Sequence, residues 1–190
     1  MGTEQVSRYV VGLLSTALAG QAVVDPASVL PLSSGASRQT WSFAAEKPDG
    51  MRCQYVLQSH LAVALPGFDP AEAGLDMGGQ ATLMRKAAEA GVPAPAVVAV
   101  GEHAGVPYLV TEWLPGEALP HRLLRDPELA PGVGRLMQDA ASALARLHQL
   151  DPAAAPLPEQ DQLARYRRRL DEIGEPRPVL ELAYRWLELH

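Results

Sequence analysis

The sequence has one cysteine, Cys53, and only two lysines, Lys47 and Lys86, among its 190 residues. A single thiol excludes an internal disulfide and a cysteine-built zinc site, and it fits a reducing compartment. Positive charge is also short: 16 Lys and Arg stand against 22 Asp and Glu, a formal net charge of −6. Nucleic acid calls for a basic surface, so no nucleic-acid partner is expected, and an anionic ligand must be held by backbone dipoles or a few arginines. No apolar run approaches the roughly 20 residues needed to span a bilayer, so no membrane is expected either. The pattern Gly-x-x-x-x-Gly-Lys-Ser/Thr is missing, which excludes a Walker-type phosphate loop. What is present is a globular composition, 47% hydrophobic and 20% charged, in a length that suits one domain or two small lobes.

Residues 9–19 form a mostly apolar stretch ending in Ala17-Leu18-Ala19, so a secretory signal peptide has to be weighed, and with it a secreted binding domain. Glu4 and Arg8 ahead of the run, the interruption at Ser15 and Thr16, and the helical spacing of Val6, Tyr9, Val10, Leu13, Leu14 and Leu18 predict an amphipathic helix instead. A cytoplasmic protein is then expected.

Strands are predicted at 29–32 and 39–44 around a Ser-Ser-Gly turn, and at 52–59 after the Lys47-Pro48-Asp49-Gly50 turn. In the third strand Tyr55 and Leu57 face one way, Val56 and Gln58 the other. A loop is expected over 65–79. A helix follows over 80–90, with Leu83, Met84, Ala87 and Ala88 on its apolar side and a stop at Gly91 and Pro93. A second hairpin joins 96–100 to 107–113 through Gly-Glu-His-Ala-Gly. Beyond Pro115 the pattern turns helical: a long helix over 133–150, a charged one over 160–173 and an apolar-striped one over 178–189, with an Ala/Pro linker at 152–158.

Five pieces then occur in a telling order: Ser33-Ser34-Gly35-Ala36-Ser37-Arg38-Gln39-Thr40-Trp41-Ser42-Phe43, Tyr55-Val56-Leu57, Ala90-Gly91-Val92-Pro93-Ala94-Pro95, Leu109-Val110-Thr111-Glu112-Trp113-Leu114-Pro115-Gly116-Glu117, and Leu147-His148-Gln149-Leu150-Asp151. In this order and spacing the chain resembles the aminoglycoside-phosphotransferase-like, kinase-fold family over nearly its whole length. The resemblance implies an α+β fold, with a protein-kinase-like N-terminal lobe of antiparallel sheet plus one helix followed by the first helices of a truncated helical C-terminal lobe. It divides the chain into a nucleotide lobe at 1–114 and a connector with a partial helical lobe at 115–190. It also implies ATP with Mg²⁺ between the lobes and transfer of the γ-phosphoryl group to a small-molecule hydroxyl.

The resemblance puts Ser33, Ser34, Gly35, Ala36 and Ser37 over the phosphates, where small side chains let backbone N–H groups approach an anion. The local sequence alone reads equally as a hairpin turn. Glu112, Trp113 and Leu114 would offer backbone groups to the adenine edge; without the family they read as a strand exit.

Two departures stand out. Kinase-like transfer uses a strand cation on the α- and β-phosphates and a helix glutamate to position it; in register those positions are Gln58 and Gln80. A unit charge about 4 Å from a phosphate is worth roughly 4 kcal/mol at an effective dielectric near 20, before desolvation. Two amides could bond to each other, or Arg52 or His60 could take the cation's place. The second departure is the family's His-Gly-Asp catalytic loop and later metal-binding aspartate, neither of which occurs. No residue is therefore assigned as base or Mg²⁺ ligand, and this chain alone is expected to be inactive as a kinase. The alternative is a non-catalytic, pseudokinase-like module that binds a nucleotide or a partner chain. Arg165, Arg167, Arg168 and Arg169 read as a solvated, salt-bridged face beside Asp161, Asp171 and Glu172. Helices from Val133 onward are expected to expose apolar faces and favour self-association.

Overall fold

A computed structural model describes residues 3–32, 39–59, 76–117, 120–151 and 162–189 of the chain. The chain opens with α1 (Thr3–Ala17), the predicted amphipathic helix, whose Val10, Leu13 and Leu14, with Leu18 just beyond, are wholly buried. Gly20 at φ +74° ends it in the left-handed region that favours glycine. Short strands β1 (Val23–Val24) and β2 (Leu30–Pro31) both pair antiparallel with β3 (Gln39–Glu46), two residues longer than the pattern predicted. Gly50, at φ +82°, closes the turn into β4 (Arg52–Ser59), whose bounds agree with the alternation.

Helix α2 (Met77–Glu89) begins earlier than expected, because the Asp76 carboxylate accepts from the Gly79 N–H at 2.6 Å and caps it. Its stop is the predicted one: the Gly91 N–H bonds to Ala88 and the Val92 N–H to Ala87. The predicted apolar side needs correcting. Met77, Gly79, Ala81 and Ala87 are buried, whereas Ala88 is exposed and Leu83 only half-buried, because small side chains bring the helix close to the sheet. The second hairpin, β5 (Val97–His103) and β6 (Val106–Glu112), is also tighter than expected. Ala104 and Gly105, at φ +50° and +79°, form a two-residue turn, so His103 belongs to the strand.

Among the described residues these strands make one antiparallel sheet in the order β1-β3-β4-β6-β5, with β2 beside β3. Side-chain alternation gives it two distinct faces. The outer face carries Trp41, Phe43, Tyr55, Leu57, Tyr108 and Val110, and α1 covers it. Each wholly buried apolar side chain of α1 contributes roughly 1.5–3 kcal/mol against exposure. The inner face carries Leu109, packed on Met77 and Ala81 of α2. This is the α+β arrangement of a kinase-like N-terminal lobe, with a helix added on its outer face.

Helices α3 (Pro120–Arg125), α4 (Ala130–His148), α5 (Gln162–Ile173) and α6 (Pro178–Leu189) follow. By contacts the chain divides into two compact units, Met1–Leu157 and Pro158–His190. In the first, Arg146 of α4 donates to the Gly91 carbonyl at 2.5 Å, satisfying the end of α2. The rest of α4 is open: Leu136 is 52% and Met137 81% exposed. In the second, Arg167 of α5 pairs with Asp171 at 2.9 Å and with Glu181 of α6, the salt-bridged face expected of the arginine run. No helix among the described residues is long and apolar enough to cross a membrane.

Candidate functional site

The inner face of the sheet carries Gln58, and α2, which packs on that face, carries Gln80, the two amides singled out by register. Gln58 pairs with Thr40 on one side and Leu109 on the other, and Leu109 packs on Met77 and Ala81, the residue after Gln80. Strand alternation and the α2 contact therefore bring the Gln58 and Gln80 positions to one side of the sheet. The two amides are not paired through the Gln58 oxygen, because Oε1 is buried without a hydrogen-bond partner among the described residues. An unpaired buried acceptor costs about 1–3 kcal/mol, which marks Gln58 as a position awaiting a donor.

Neither Arg52 nor the two lysines stand at the place of the missing cation. Arg52 lies six residues back on β4, about 20 Å along the strand, and its guanidinium is held by Asp25 at 2.6 Å. That bond, followed by the Ala27 N–H, draws the Asp25 carboxyl below its ordinary range. Lys86 sits in the last turn of α2, about 9 Å along the axis from Gln80, and Lys47 in the β3–β4 turn. His60 lies outside the described residues, as do Ser33, Ser34, Gly35, Ala36 and Ser37 of the hairpin tip.

The connector is more tightly committed than its sequence suggests. The Glu112 N–H donates to the Ala96 carbonyl and the Trp113 N–H to the Gln54 carbonyl, each at 3.0 Å. The Glu112 side chain is used as well, Oε1 accepting from the Ala96 N–H at 2.9 Å. Leu114, 54% exposed, is the first residue past these bonds. Of the three connector residues, two have their N–H groups engaged by the sheet, so a ligand edge would meet the carbonyls and the Leu114 N–H.

Other chemistry-bearing residues are occupied elsewhere. The Tyr9 hydroxyl donates to the His103 carbonyl at 2.8 Å, and the two rings meet edge to face. Sequence reasoning missed this tie, since nothing local links positions 94 residues apart. His121 and His148 are exposed on α3 and α4. Among the described residues no group of three His, Cys, Asp or Glu side chains is arranged to hold a metal ion.

A family model for the phosphotransferase enzyme family matches residues 28–190, leaving α1 and β1 outside it. No curated protein gives a significant match to the chain.

Proposed function

The chain belongs to the phosphotransferase enzyme family, and from that premise we propose that it is the nucleotide-holding part of an ATP-dependent phosphotransferase acting on a small-molecule hydroxyl in the cytoplasm. The observation that carries the reading is the placing of Gln58, next to the α2 contact, on the inner face of a sheet whose last strand runs into the connector. The adenine edge would meet the Glu112 carbonyl and the Leu114 N–H. The tip at 33–37 would lie over the phosphates, with Mg²⁺ accompanying the nucleotide. In the transfer, the acceptor hydroxyl attacks the γ-phosphorus, the bond to the bridging oxygen breaks and ADP departs. No His-Gly-Asp sequence occurs in the 190 residues, so the role assigned to them is holding the nucleotide, not taking the hydroxyl proton.

A Gln amide turned by half a revolution exchanges its oxygen for Nε2, which would give a phosphate oxygen a donor at the buried position. Such a bond to a charged group contributes about 1.5–3 kcal/mol, against roughly 4 kcal/mol for a full charge at the same place before desolvation. Nucleotide binding should therefore be weak but measurable. Calorimetric titration with Mg-ATP tests this: Gln58→Lys combined with Gln80→Glu should tighten binding by roughly tenfold or more, the fold-change for about 1.4 kcal/mol. Absence of binding by both chains would overturn the reading.

A second reading, a non-catalytic nucleotide- or partner-binding module, is favoured by Gln58 Oε1, which has no hydrogen-bond partner among the described residues. As an acceptor it suits a ligand N–H rather than a phosphate oxygen. Binding of adenosine as tight as that of ATP would favour this module.

A further inference from the structure

The turn that follows α1, the β3–β4 turn and the connector enclose a cavity of about 630 Å³ that touches neither Gln58 nor Gln80. Leu18, Ala22, Val98 and Trp113 line it, as do Tyr55 and Cys53 of the outer sheet face. The size falls within the range of small-ligand pockets, about 300–1,000 Å³. Its Leu18, Gln21 and Ala22, in the turn that follows α1, lie outside the segment that matches the family.

Its two charged groups are in different states. Glu112 is partly satisfied, with Oε1 on the Ala96 N–H. Lys47 is half-buried, and among the described residues its ammonium makes no ion pair or hydrogen bond. Of the two acids that line the neighbouring cavity, Asp25 is already held by Arg52, and Glu46 makes no ion pair with Lys47 among the described residues. One of only two lysines in an acidic chain is thus placed, without a counter-ion, where an apolar aromatic wall meets two cavities. Burial, followed by the neighbouring Cys53 side chain, raises the Tyr55 phenol above its ordinary pKa.

We infer that this cavity is a second ligand site, for a small aromatic carboxylate whose ring lies against Trp113 and Leu18 and whose anionic end pairs with Lys47. The free lone pairs of Glu112 would accept an N–H on the ring. A charge-assisted pair in such a half-desolvated place is stronger than a neutral one, so the carboxylate rather than the ring decides the preference. The inference does not rest on nucleotide binding: the cavity touches neither Gln58 nor Gln80, and it uses the side chains of Glu112 and Trp113, whereas the adenine edge is assigned to connector backbone groups.

Indole-3-acetate is the probe, and indole-3-acetamide its neutral counterpart. The intact chain, labelled with ¹⁵N at the indoles of Trp41, Trp113 and Trp186, is titrated with each and followed by NMR. The Trp113 signal should move and the other two stay, with the acid preferred over the amide by roughly tenfold. Lys47→Gln, in a surface turn, should abolish that preference while leaving the fold intact. Ala22→Leu should fill the space and weaken both probes. Saturating Mg-ATP should leave the titration unchanged. The inference is overturned if Trp113 does not respond, if acid and amide bind alike, if the preference survives Lys47→Gln, if Ala22→Leu binds as before, or if Mg-ATP displaces the probe.

Discussion

Helices α1 and α4 carry the same kind of apolar stripe and meet opposite fates. In α1 Val10, Leu13 and Leu14 are 0% exposed against the outer sheet face, whereas in α4 Leu136 and Leu144 are each 52% exposed. Periodicity specifies a helix with one apolar side; it does not supply the surface that side will cover. At 15 residues α1 is marginal as an isolated helix, so the sheet is what keeps it folded. For α4 the described residues show a tie of a different sort, a guanidinium on the Gly91 carbonyl just past the end of α2.

The sharpest test is truncation on each stripe, read by urea unfolding of the intact chain. Leu14→Ala should cost about 2–5 kcal/mol, the range for a buried leucine that leaves a cavity. Met137→Ala, at a residue 81% exposed, should stay within about 0.5 kcal/mol; equal losses would break the contrast. Next in size is Gly101→Ala. An added Cβ would stand 2.9 Å from the Tyr108 hydroxyl oxygen and 3.1 Å from its ring, an overpacking worth about 1–3 kcal/mol. The loss should shrink in a Tyr108→Val background. Tyr9→Phe removes the bond to the His103 carbonyl and should cost about 0.5–1.5 kcal/mol.

The smallest effect is one of pH. Asp25 has its folded pKa lowered, first by the Arg52 bond, so its contribution is present above the ordinary value of 3.8 and is lost as pH falls through the folded value. An Arg52→Gln chain should accordingly lose less stability on acidification than the parent. Identical acid limbs would remove Asp25 from the account of how β1 is anchored.

Elements with strict local patterns were legible in the sequence to the residue. Strand β4 alternates cleanly after a Pro-Asp-Gly turn, and α6 starts at a proline; both bounds agree with the structure. The start of α2 was hidden because Gly78 and Gly79 read as loop, although Asp76 was available as a cap. Which face of the sheet Gln58 occupies followed from alternation alone. The engagement of the Glu112 and Trp113 N–H groups did not, because their acceptors, the Ala96 carbonyl just before β5 and the Gln54 carbonyl of β4, lie on other segments. The outer cavity was wholly invisible, being made of segments far apart in sequence that meet only once α1 has docked.

That docking has a temporal side. Tyr9 and the His103 carbonyl it binds are separated by 94 residues, so a ribosome adding 5–20 residues per second needs roughly 5–20 s to deliver the second after the first. Throughout that interval the apolar side of α1 has no sheet to cover, and the strands that will receive it are still arriving in order. The first helix to be made is therefore among the last to find its place, and its stripe of valine and leucine is the surface a nascent-chain chaperone would meet.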